Sequence, residues 1–369
     1  MQLPQHFEPY TDKYFLRSLE ILQKENLNPF VRAQIFLRDS GFIHGLEDAV
    51  ALIQKFSKLR ENGGRIYSLI EGDSYTSEET VMLIEGRVQD IIYLETLILG
   101  FISSETTWFN DKTRPDRATV KKNVSEIVEL VKRPVSYFGA RHYRYVEDKE
   151  LAQAAFAAGA TGASTDFGAS VVGKKGVGTI PHSLEAIFAW KHGMENAVVK
   201  TTDAFDKHID PAVSRIALVD FNNKEIDDSL RVAKMLKDKV YGIRVDTSGE
   251  NTMQDEAFFP NHKDDPYWHG KGVTIGGVYK LRKELLAHGF QEIKIVLSSG
   301  FGNIAKVKAF VEAEKELGIS LFDELGVGQV YPARIATMDI VGVGDNLTML
   351  QPMAKVGRAY RPNPRLHER

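Results

Sequence analysis

The chain has 369 residues, of which 43% are hydrophobic and 26% charged, and its formal net charge is −3 at pH 7. These values are typical of a globular protein and argue against a nucleic-acid-binding protein, whose phosphate contacts need a basic face. The sequence contains no cysteine, which excludes disulfides, thiolate metal sites and cysteine nucleophiles. A length beyond about 250–300 residues predicts two structural units.

The sequence gives no sign of export or of membrane insertion. Residues 1–20 carry acidic and basic side chains and lack the apolar core of a signal peptide. The longest apolar stretch, residues 91–102, is interrupted by Glu95 and is too short to span a bilayer. We therefore expect a soluble cytoplasmic protein.

The N-terminal third predicts a mixture of helices and antiparallel strands. Phe15, Leu19 and Leu22 have helical spacing within residues 11–26, and the alternating residues that follow predict a strand ending at Arg38. A helix over residues 45–60 leads to short strands between residues 66 and 91, which are separated by glycine turns. Residues 91–101 then return to a helical pattern.

From about residue 132 onwards, short apolar segments alternate with helical patterns, which predicts parallel strands joined by crossover helices. Seven such units suit a closed barrel better than an open sheet. The predicted strands span residues 135–138, 160–164, 197–200, 216–219, 240–245, 293–297 and 320–325. A long insertion rich in aromatic residues separates Gly249 from Gly277. Polar and glycine residues follow each predicted strand, which is where barrels build their active sites.

Two side chains at these strand ends suggest binding or group transfer. Arg141 could form a bidentate pair with a carboxylate or phosphate, or a structural salt bridge with Asp148 or Glu150. His182 follows a glycine loop and a proline, so it could be a nucleophile, a proton carrier or a packing residue.

Asp220 and Asp246 each end a predicted strand, where they could bind Mg²⁺ or a ribose diol, or cap the next turn. Residues 168–174, GASVVGK, fit the phosphate-loop spacing, but Lys175 stands where such a loop needs Ser or Thr. A true phosphate loop of that kind is therefore rejected, although phosphate binding by the segment remains open.

Motifs throughout the chain resemble those of the nicotinate phosphoribosyltransferase family, in the same order. The C-terminal two thirds contains FGAR at 138–141, GTIPH at 178–182, ALVDFNN at 217–223, IRVDTSG at 243–249, LSSGFGN at 297–303 and ELGVG at 324–328. Both ends of the chain add TDKYFLR at 11–17, NPFVRAQIFLR at 28–38, VMLIEGRVQDIIYLET at 81–96, TMDIV at 337–341 and KVGR at 355–358.

This resemblance implies a type II phosphoribosyltransferase with an irregular α/β barrel at residues 116–335. An N-terminal α/β sandwich domain at residues 1–115 would be completed by residues 336–369. The family acts as a homodimer with active sites at the subunit interface. It converts nicotinate and phosphoribosyl pyrophosphate to nicotinate mononucleotide and pyrophosphate in NAD salvage. Mg²⁺ is the implied metal, and ATP is a co-substrate that phosphorylates a histidine.

The resemblance also implies roles for individual residues. Arg141 would bind the nicotinate carboxylate, Tyr14 of a partner subunit would stack on the ring, and His182 would be phosphorylated. The residues around ribose, Mg²⁺ and pyrophosphate would be Asp220, Arg244 and Asp246, with the two aspartates as metal ligands. The 5′-phosphate would lie on Gly300, Gly302, Gly326 and Gly328. Positive charge for pyrophosphate or ATP would come across the dimer from Arg38, Lys355 and Arg358. The remaining substrate-binding residues would be Ser164, Thr165, Ser170 and Thr179.

Two departures from the family pattern fall on the base-binding side. His142 stands where a second arginine is usual, and Ser170 lies nearest the place of a usual asparagine. A relative acting on quinolinate or nicotinamide therefore remains an alternative, although quinolinate would need more cations than Arg141 alone. A non-catalytic nucleotide-binding homologue is the third hypothesis, and the sequence argues against it through the joint presence of Arg141, His182, Asp220 and Asp246.

Overall fold

The computed structural model describes residues 3–369, and its strands form two six-stranded sheets and one two-stranded ribbon. In chain order the strands are β1 Phe30–Leu37, β2 Gly41–Phe42, β3 Arg65–Ser68, β4 Ser74–Tyr75, β5 Thr80–Arg87, β6 Val135–Tyr137, β7 Gly162–Ala163, β8 Arg215–Leu218, β9 Val240–Val245, β10 Lys294–Leu297, β11 Glu324–Val327, β12 Ala336–Gly344, β13 Gln351–Pro352 and β14 His367–Glu368.

The α-helices connect these strands and cover the sheets. They are α1 Lys13–Lys24, α2 Leu46–Phe56, α3 Glu95–Asp111, α4 Arg117–Val131, α5 Asp148–Ala157, α6 Asp166–Ala169, α7 His182–His192, α8 Ala197–His208, α9 Glu225–Leu236, α10 Ile275–Ala287 and α11 Ile304–Leu317. None of the helices in the described part of the chain is long and apolar enough to cross a membrane.

The first sheet joins the two ends of the chain. Its strand order is β13-β12-β1-β5-β3-β14, so β12 pairs antiparallel with β1, and β14 pairs with β3. The residues of β5 from Thr80 to Gly86 are all buried, because helices cover the sheet on one side and the C-terminal segment crosses the other. This pairing returns residues 336–369 to the N-terminal unit and carries Lys355 and Arg358 towards the second sheet.

The second sheet is parallel, with strand order β7-β6-β11-β10-β9-β8. Its outer strands β7 and β8 are bridged by residues 177–179 rather than by a further strand. The Val177 amide donates to the Ala163 carbonyl at 2.8 Å, and the Thr179 hydroxyl donates to the Ile216 carbonyl at 2.7 Å. This curled sheet with a non-strand segment at its opening is the irregular α/β barrel that the sequence predicted, beside an N-terminal antiparallel sheet with packed helices.

One predicted strand of the barrel is wrong. Residues 197–200 form the first turn of α8, and the sheet therefore has six parallel strands rather than seven. Thr201 and Thr202 donate their hydroxyls to the carbonyls of Ala197 and Val198, at 2.7 and 2.8 Å, along the helix. The three apolar residues 197–199 fit either a strand or a buried helix turn, and here the helical spacing continues to the buried Phe205.

Helix α4 was not predicted from the sequence, although its signals are present. Asp116 caps the helix by accepting from the Thr119 amide at 2.9 Å, and Val120, Val124 and Ile127 are buried at helical spacing. The aromatic insertion after Gly249 is ordered by a stack of His262 on Trp268 and ends where α10 begins.

Candidate active site

A cavity of about 330 Å³ opens where the carboxyl ends of the parallel strands meet the N-terminal unit. Residues that follow β6, β9, β10 and β11 line it together with residues of α1, α7 and the C-terminal segment. Twelve of the residues singled out from the sequence line this cavity: Tyr14, Arg38, Arg141, His182, Arg244, Asp246, Gly300, Gly302, Gly326, Gly328, Lys355 and Arg358.

The other predicted site residues lie outside the cavity wall. Thr165 caps α6 by accepting from the Gly168 amide at 2.9 Å, and it donates to the buried Asp148. Thr179 closes the barrel as described above, and Ser164 is buried beside β7. Ser170 is exposed and donates to the Phe167 carbonyl at 2.7 Å. These four hydroxyl residues therefore shape the loop before His182 and do not line the cavity.

His182 and Asp220 form the core of the site's charged network. Nε2 of His182, the first residue of α7, lies 3.1 Å from both carboxylate oxygens of Asp220. A carboxylate can only accept, so Nε2 carries a proton and the neutral ring has its lone pair on Nδ1. Burial and the nearby Lys355 ammonium lower the pKa of His182, against the opposing effect of Asp220. The ring is therefore neutral near pH 7, with a lone pair on Nδ1.

Asp220 is fully buried, and its carboxylate accepts hydrogen bonds from Lys355 and His182. Lys355 donates its ammonium to Asp220 and also to the Asp246 carbonyl at 3.0 Å, which ties the C-terminal segment to the ends of β8 and β9. Burial would raise the pKa of Asp220, but Lys355 and His182 outweigh it and hold the pKa well below its usual value. Asp220 is thus a fixed negative charge beneath His182.

The end of the cavity next to β6 contains Arg141 with aromatic and acidic neighbours. Arg141 faces Glu95, at 3.8 Å between Nη1 and Oε1, instead of Asp148 or Glu150. Burial, with a smaller effect of Arg141, lowers the pKa of His142 to about 3, so this histidine is neutral. Arg141 is therefore the cation that this end of the cavity offers to an anionic ligand.

The adjoining wall is made of the glycine-rich loops after β10 and β11, and β11 pairs directly with β6. A Cβ atom on Gly302 would lie 2.0 Å from the Gln329 carbonyl oxygen, and one on Gly326 would lie 2.3 Å from the Phe138 ring. Only glycine permits these approaches, which bring backbone amides to the cavity surface. Lys306 donates to the Ser299 carbonyl at 3.1 Å, and burial lowers its pKa to about 8. The loop geometry suits an anion such as a phosphate.

Arg38 and Arg358 form a further cationic pair on the cavity wall. Both contact the same oxygen of Glu250, at 3.3 Å for Arg38 and 2.9 Å for Arg358. Tyr14, Lys355 and these arginines line the cavity of their own chain, and a contribution from a partner subunit stays a prediction.

The predicted metal ligands fit only in part. Asp220 is fully buried and its oxygens face Lys355 and His182, so it does not fit a metal ligand. Asp246 lines the cavity and accepts from the Ser298 hydroxyl at 2.8 Å through Oδ1. Residues 3–369 contain no group of three or more His, Asp or Glu side chains arranged to hold a metal. A Mg²⁺ ion at this site would therefore take most of its ligands from substrate phosphates and water.

Several cavity residues were not predicted from the sequence, among them Glu95, Phe138, Ser298, Ser299 and Asp339. Glu250, which pairs with Arg38, was not predicted either. Glu95 had a visible signal, because it is the one acidic residue in the apolar run of residues 91–102. Asp339 was less visible, since it lies in the alternating pattern of a strand, β12.

Comparison with known proteins agrees with this architecture. Residues 12–105 match the family model of the quinolinate phosphoribosyl transferase N-terminal domain. A nicotinate phosphoribosyltransferase structure from Porphyromonas gingivalis superposes with a TM-score of 0.67 at 14% identity, covering 96% of this chain and 94% of its own. The nicotinate phosphoribosyltransferase from Vibrio cholerae gives 0.65 at 13% identity, covering 96% and 89%.

A nicotinate-nucleotide pyrophosphorylase from Pyrococcus furiosus is 25% identical over all of this chain and 85% of its own, with a TM-score of 0.46. The two structures with the higher TM-scores establish the fold, which is that of the type II phosphoribosyltransferases. The match of residues 12–105 to the N-terminal domain model agrees with that fold.

Proposed function

We propose that this protein is a nicotinate phosphoribosyltransferase, which makes nicotinate mononucleotide and pyrophosphate from nicotinate and phosphoribosyl pyrophosphate in NAD salvage. The observation that carries the proposal is the polarity of the cavity. Arg141 lies beside Glu95, whereas Arg38 and Arg358 meet at Glu250 and Lys355 lies beside Asp220. Arg244 also lines the cavity and donates to the Ile180 carbonyl at 3.0 Å. A base with one carboxylate fits Arg141, and a sugar with two anionic groups fits the other cations and the glycine loops.

The charge at the base end favours nicotinate over quinolinate. Quinolinate has two carboxylates, and Arg141 can form a bidentate pair with only one of them. His142 stands where a second cation would be expected, but its pKa of about 3 leaves it uncharged. The N-terminal match to the quinolinate phosphoribosyl transferase model keeps quinolinate as the second candidate.

The proposed transfer needs positioning more than acid–base chemistry. The bond between ribose C1 and the pyrophosphate oxygen breaks, the oxygen keeps the electron pair, and the pyridine nitrogen of nicotinate forms the new bond to C1. Arg38, Arg358 and Lys355 would stabilise the departing pyrophosphate, and the Asp246 carboxylate would stabilise positive charge that develops on the ribose. Mg²⁺ bound to the pyrophosphate would neutralise part of its charge, and Asp246 is the residue placed to hold it.

We further propose that ATP drives the transfer through His182. Nδ1 would attack the γ-phosphorus of ATP, ADP would leave with the electron pair of the broken P–O bond, and water would later release phosphate from the ring. Asp220 holds the proton on Nε2, which directs the lone pair to Nδ1. The phosphorylated ring would add negative charge beside Lys355 and so alter the binding of pyrophosphate. A homodimer and a cytoplasmic location remain predictions.

The experiment is a product assay with nicotinate, phosphoribosyl pyrophosphate and Mg²⁺, run with and without ATP. The unmodified protein should form nicotinate mononucleotide faster with ATP, and His182→Ala should form it slowly and equally in both conditions. His192→Ala is the matched control, because His192 is exposed at the other end of α7, and it should keep the full ATP effect. Absence of mononucleotide from the unmodified protein would reject the transferase proposal. Unchanged ATP stimulation in His182→Ala would reject only the phosphohistidine.

A further inference from the structure

Glu95 shares the base end of the cavity with Arg141. It is the first residue of α3, is 4% exposed and lines the cavity wall. The 3.8 Å between Oε1 and Nη1 is too long for a hydrogen bond, and the Arg141 side chain keeps 37% of its surface exposed. The donors of Arg141 are therefore still available to a ligand, while a carboxyl group stands directly beside them.

The surroundings of Glu95 contain more acids than cations. Asp12 comes before α1, is buried, and has an Oδ1 without a hydrogen-bond partner among the described residues. Asp339 faces the same space from β12, and the Tyr14 hydroxyl lies 3.4 Å from Oδ2 of Asp12. Arg141 is the one cation that acts directly on Glu95 in this group. Asp339 is half-buried and has Arg358 at 3.5 Å from its Oδ2, so Arg141 is left to offset the two buried carboxyl groups of Asp12 and Glu95. One guanidinium cannot neutralise both of these and a bound substrate carboxylate as well.

Protonation of one of these carboxyl groups removes the excess negative charge around Glu95. Burial raises the pKa of Glu95 to about 8, with Arg141 opposing the shift and Asp12 and Asp339 adding to it. The pKa of Asp12 is also raised, mainly by burial. A carboxylate ligand on Arg141 would bring a further negative charge to Glu95 and so favour its protonated form still more.

We propose that Glu95 is a specificity-determining residue that controls access of a carboxylate to Arg141. When Glu95 is protonated, Arg141 is free to bind a pyridine carboxylate, and when Glu95 is ionised it pairs with Arg141 and excludes that carboxylate. This inference rests on the proposed function, because it assumes that nicotinate binds at Arg141. An uncharged pyridine amide such as nicotinamide would not be excluded by the ionised form.

The inference predicts a linkage between nicotinate binding and a proton. Below about pH 8 the dissociation constant for nicotinate should be nearly independent of pH. Above about pH 8 it should rise roughly tenfold for each pH unit, since the protein must first take up a proton. Nicotinamide is the matched neutral ligand, and any binding of nicotinamide should lack this rise.

The test is calorimetric titration of the full chain with nicotinate from about pH 6.5 to about pH 9.5. Glu95→Gln keeps the side-chain shape but cannot ionise, and its dissociation constant should stay flat above about pH 8. Lys306 also has a pKa of about 8, but it is present in both proteins and cancels in the comparison. Glu105→Gln is the control on the same helix, because Glu105 pairs with Arg144 outside the cavity, and it should keep the wild-type profile.

A second measurement needs no variant. Titrations of the unmodified protein in two buffers of different ionisation enthalpy should show uptake of close to one proton per nicotinate at about pH 9 and none at about pH 6.5. Equal pH profiles for Glu95→Gln and the unmodified protein, or binding without proton uptake at any pH, would overturn the role of Glu95 alone. Failure of the unmodified protein to bind nicotinate at any pH would overturn the proposed function as well.

Discussion

Lys355 donates its ammonium to the buried carboxylate of Asp220, 135 residues away in the sequence. The contact joins the C-terminal segment, which belongs to the antiparallel sheet, to the carboxyl end of β8 in the parallel sheet. His182 is hydrogen-bonded to the same carboxylate through Nε2, so the orientation of its ring depends on both sheets. The nucleophile of the proposed phosphoryl transfer is thus positioned by the junction of the two units.

The first prediction concerns this ion pair. Lys355→Met leaves Asp220 ionised, buried and without its main counter-charge, so we expect the free energy of unfolding to fall by about 3–5 kcal/mol. The double variant Lys355→Met with Asp220→Asn removes both charges and should recover much of that loss, although activity should stay low in both. Denaturant unfolding measures the difference. A double variant as unstable as the single one would contradict the pairing.

The second prediction concerns the base end of the cavity. Arg141→Lys keeps the positive charge but loses the planar fork that pairs with a carboxylate, so the KM for nicotinate should rise by roughly 10–100-fold. The KM for phosphoribosyl pyrophosphate should remain close to its original value. Arg144→Lys is the control three residues further on, where the guanidinium pairs with Glu105 instead. Steady-state kinetics would contradict the assignment if Arg141→Lys affected the sugar substrate and spared nicotinate.

The third prediction concerns the close packing of the glycine loops. Gly302→Ala would place Cβ 2.0 Å from the Gln329 carbonyl oxygen, so the loop after β10 must move away from the loop after β11. We expect a loss of about 1–3 kcal/mol in stability and a higher KM for phosphoribosyl pyrophosphate. Gly249→Ala has no heavy atom within 4 Å of the new Cβ and should unfold like the unmodified protein. The measurement is thermal unfolding of both variants, and equal stabilities of Gly302→Ala and Gly249→Ala would refute the steric argument.

Much of the barrel side of the site followed from the sequence. Parallel strands place their carboxyl ends at one edge, so the positions of Arg141, Asp246 and the glycine loops could be predicted from short apolar runs and the polar residues after them. The same reasoning misread residues 197–200, because a run of three apolar residues before Lys200 has too few positions to distinguish a strand from a helix turn.

The remaining features depend on contacts between distant segments. The burial of Asp220 depends on Lys355 returning from the C-terminal segment, and no local pattern reveals that pairing. The position of Glu95 beside Arg141 depends on how the start of α3 packs against the turn Ala140–His142. For the same reason the sequence did not show that Tyr14 lies in the cavity of its own chain.

The most direct test of the central claim is a competition among three bases. Nicotinate, quinolinate and nicotinamide would be offered together at equal concentration with phosphoribosyl pyrophosphate, ATP and Mg²⁺, at about pH 7, where Glu95 is protonated. Both nicotinate and quinolinate would give nicotinate mononucleotide, so each base would carry a different isotope label that the product retains. The account predicts that the mononucleotide carries the nicotinate label. A product that carries mainly the quinolinate or the nicotinamide label would contradict it.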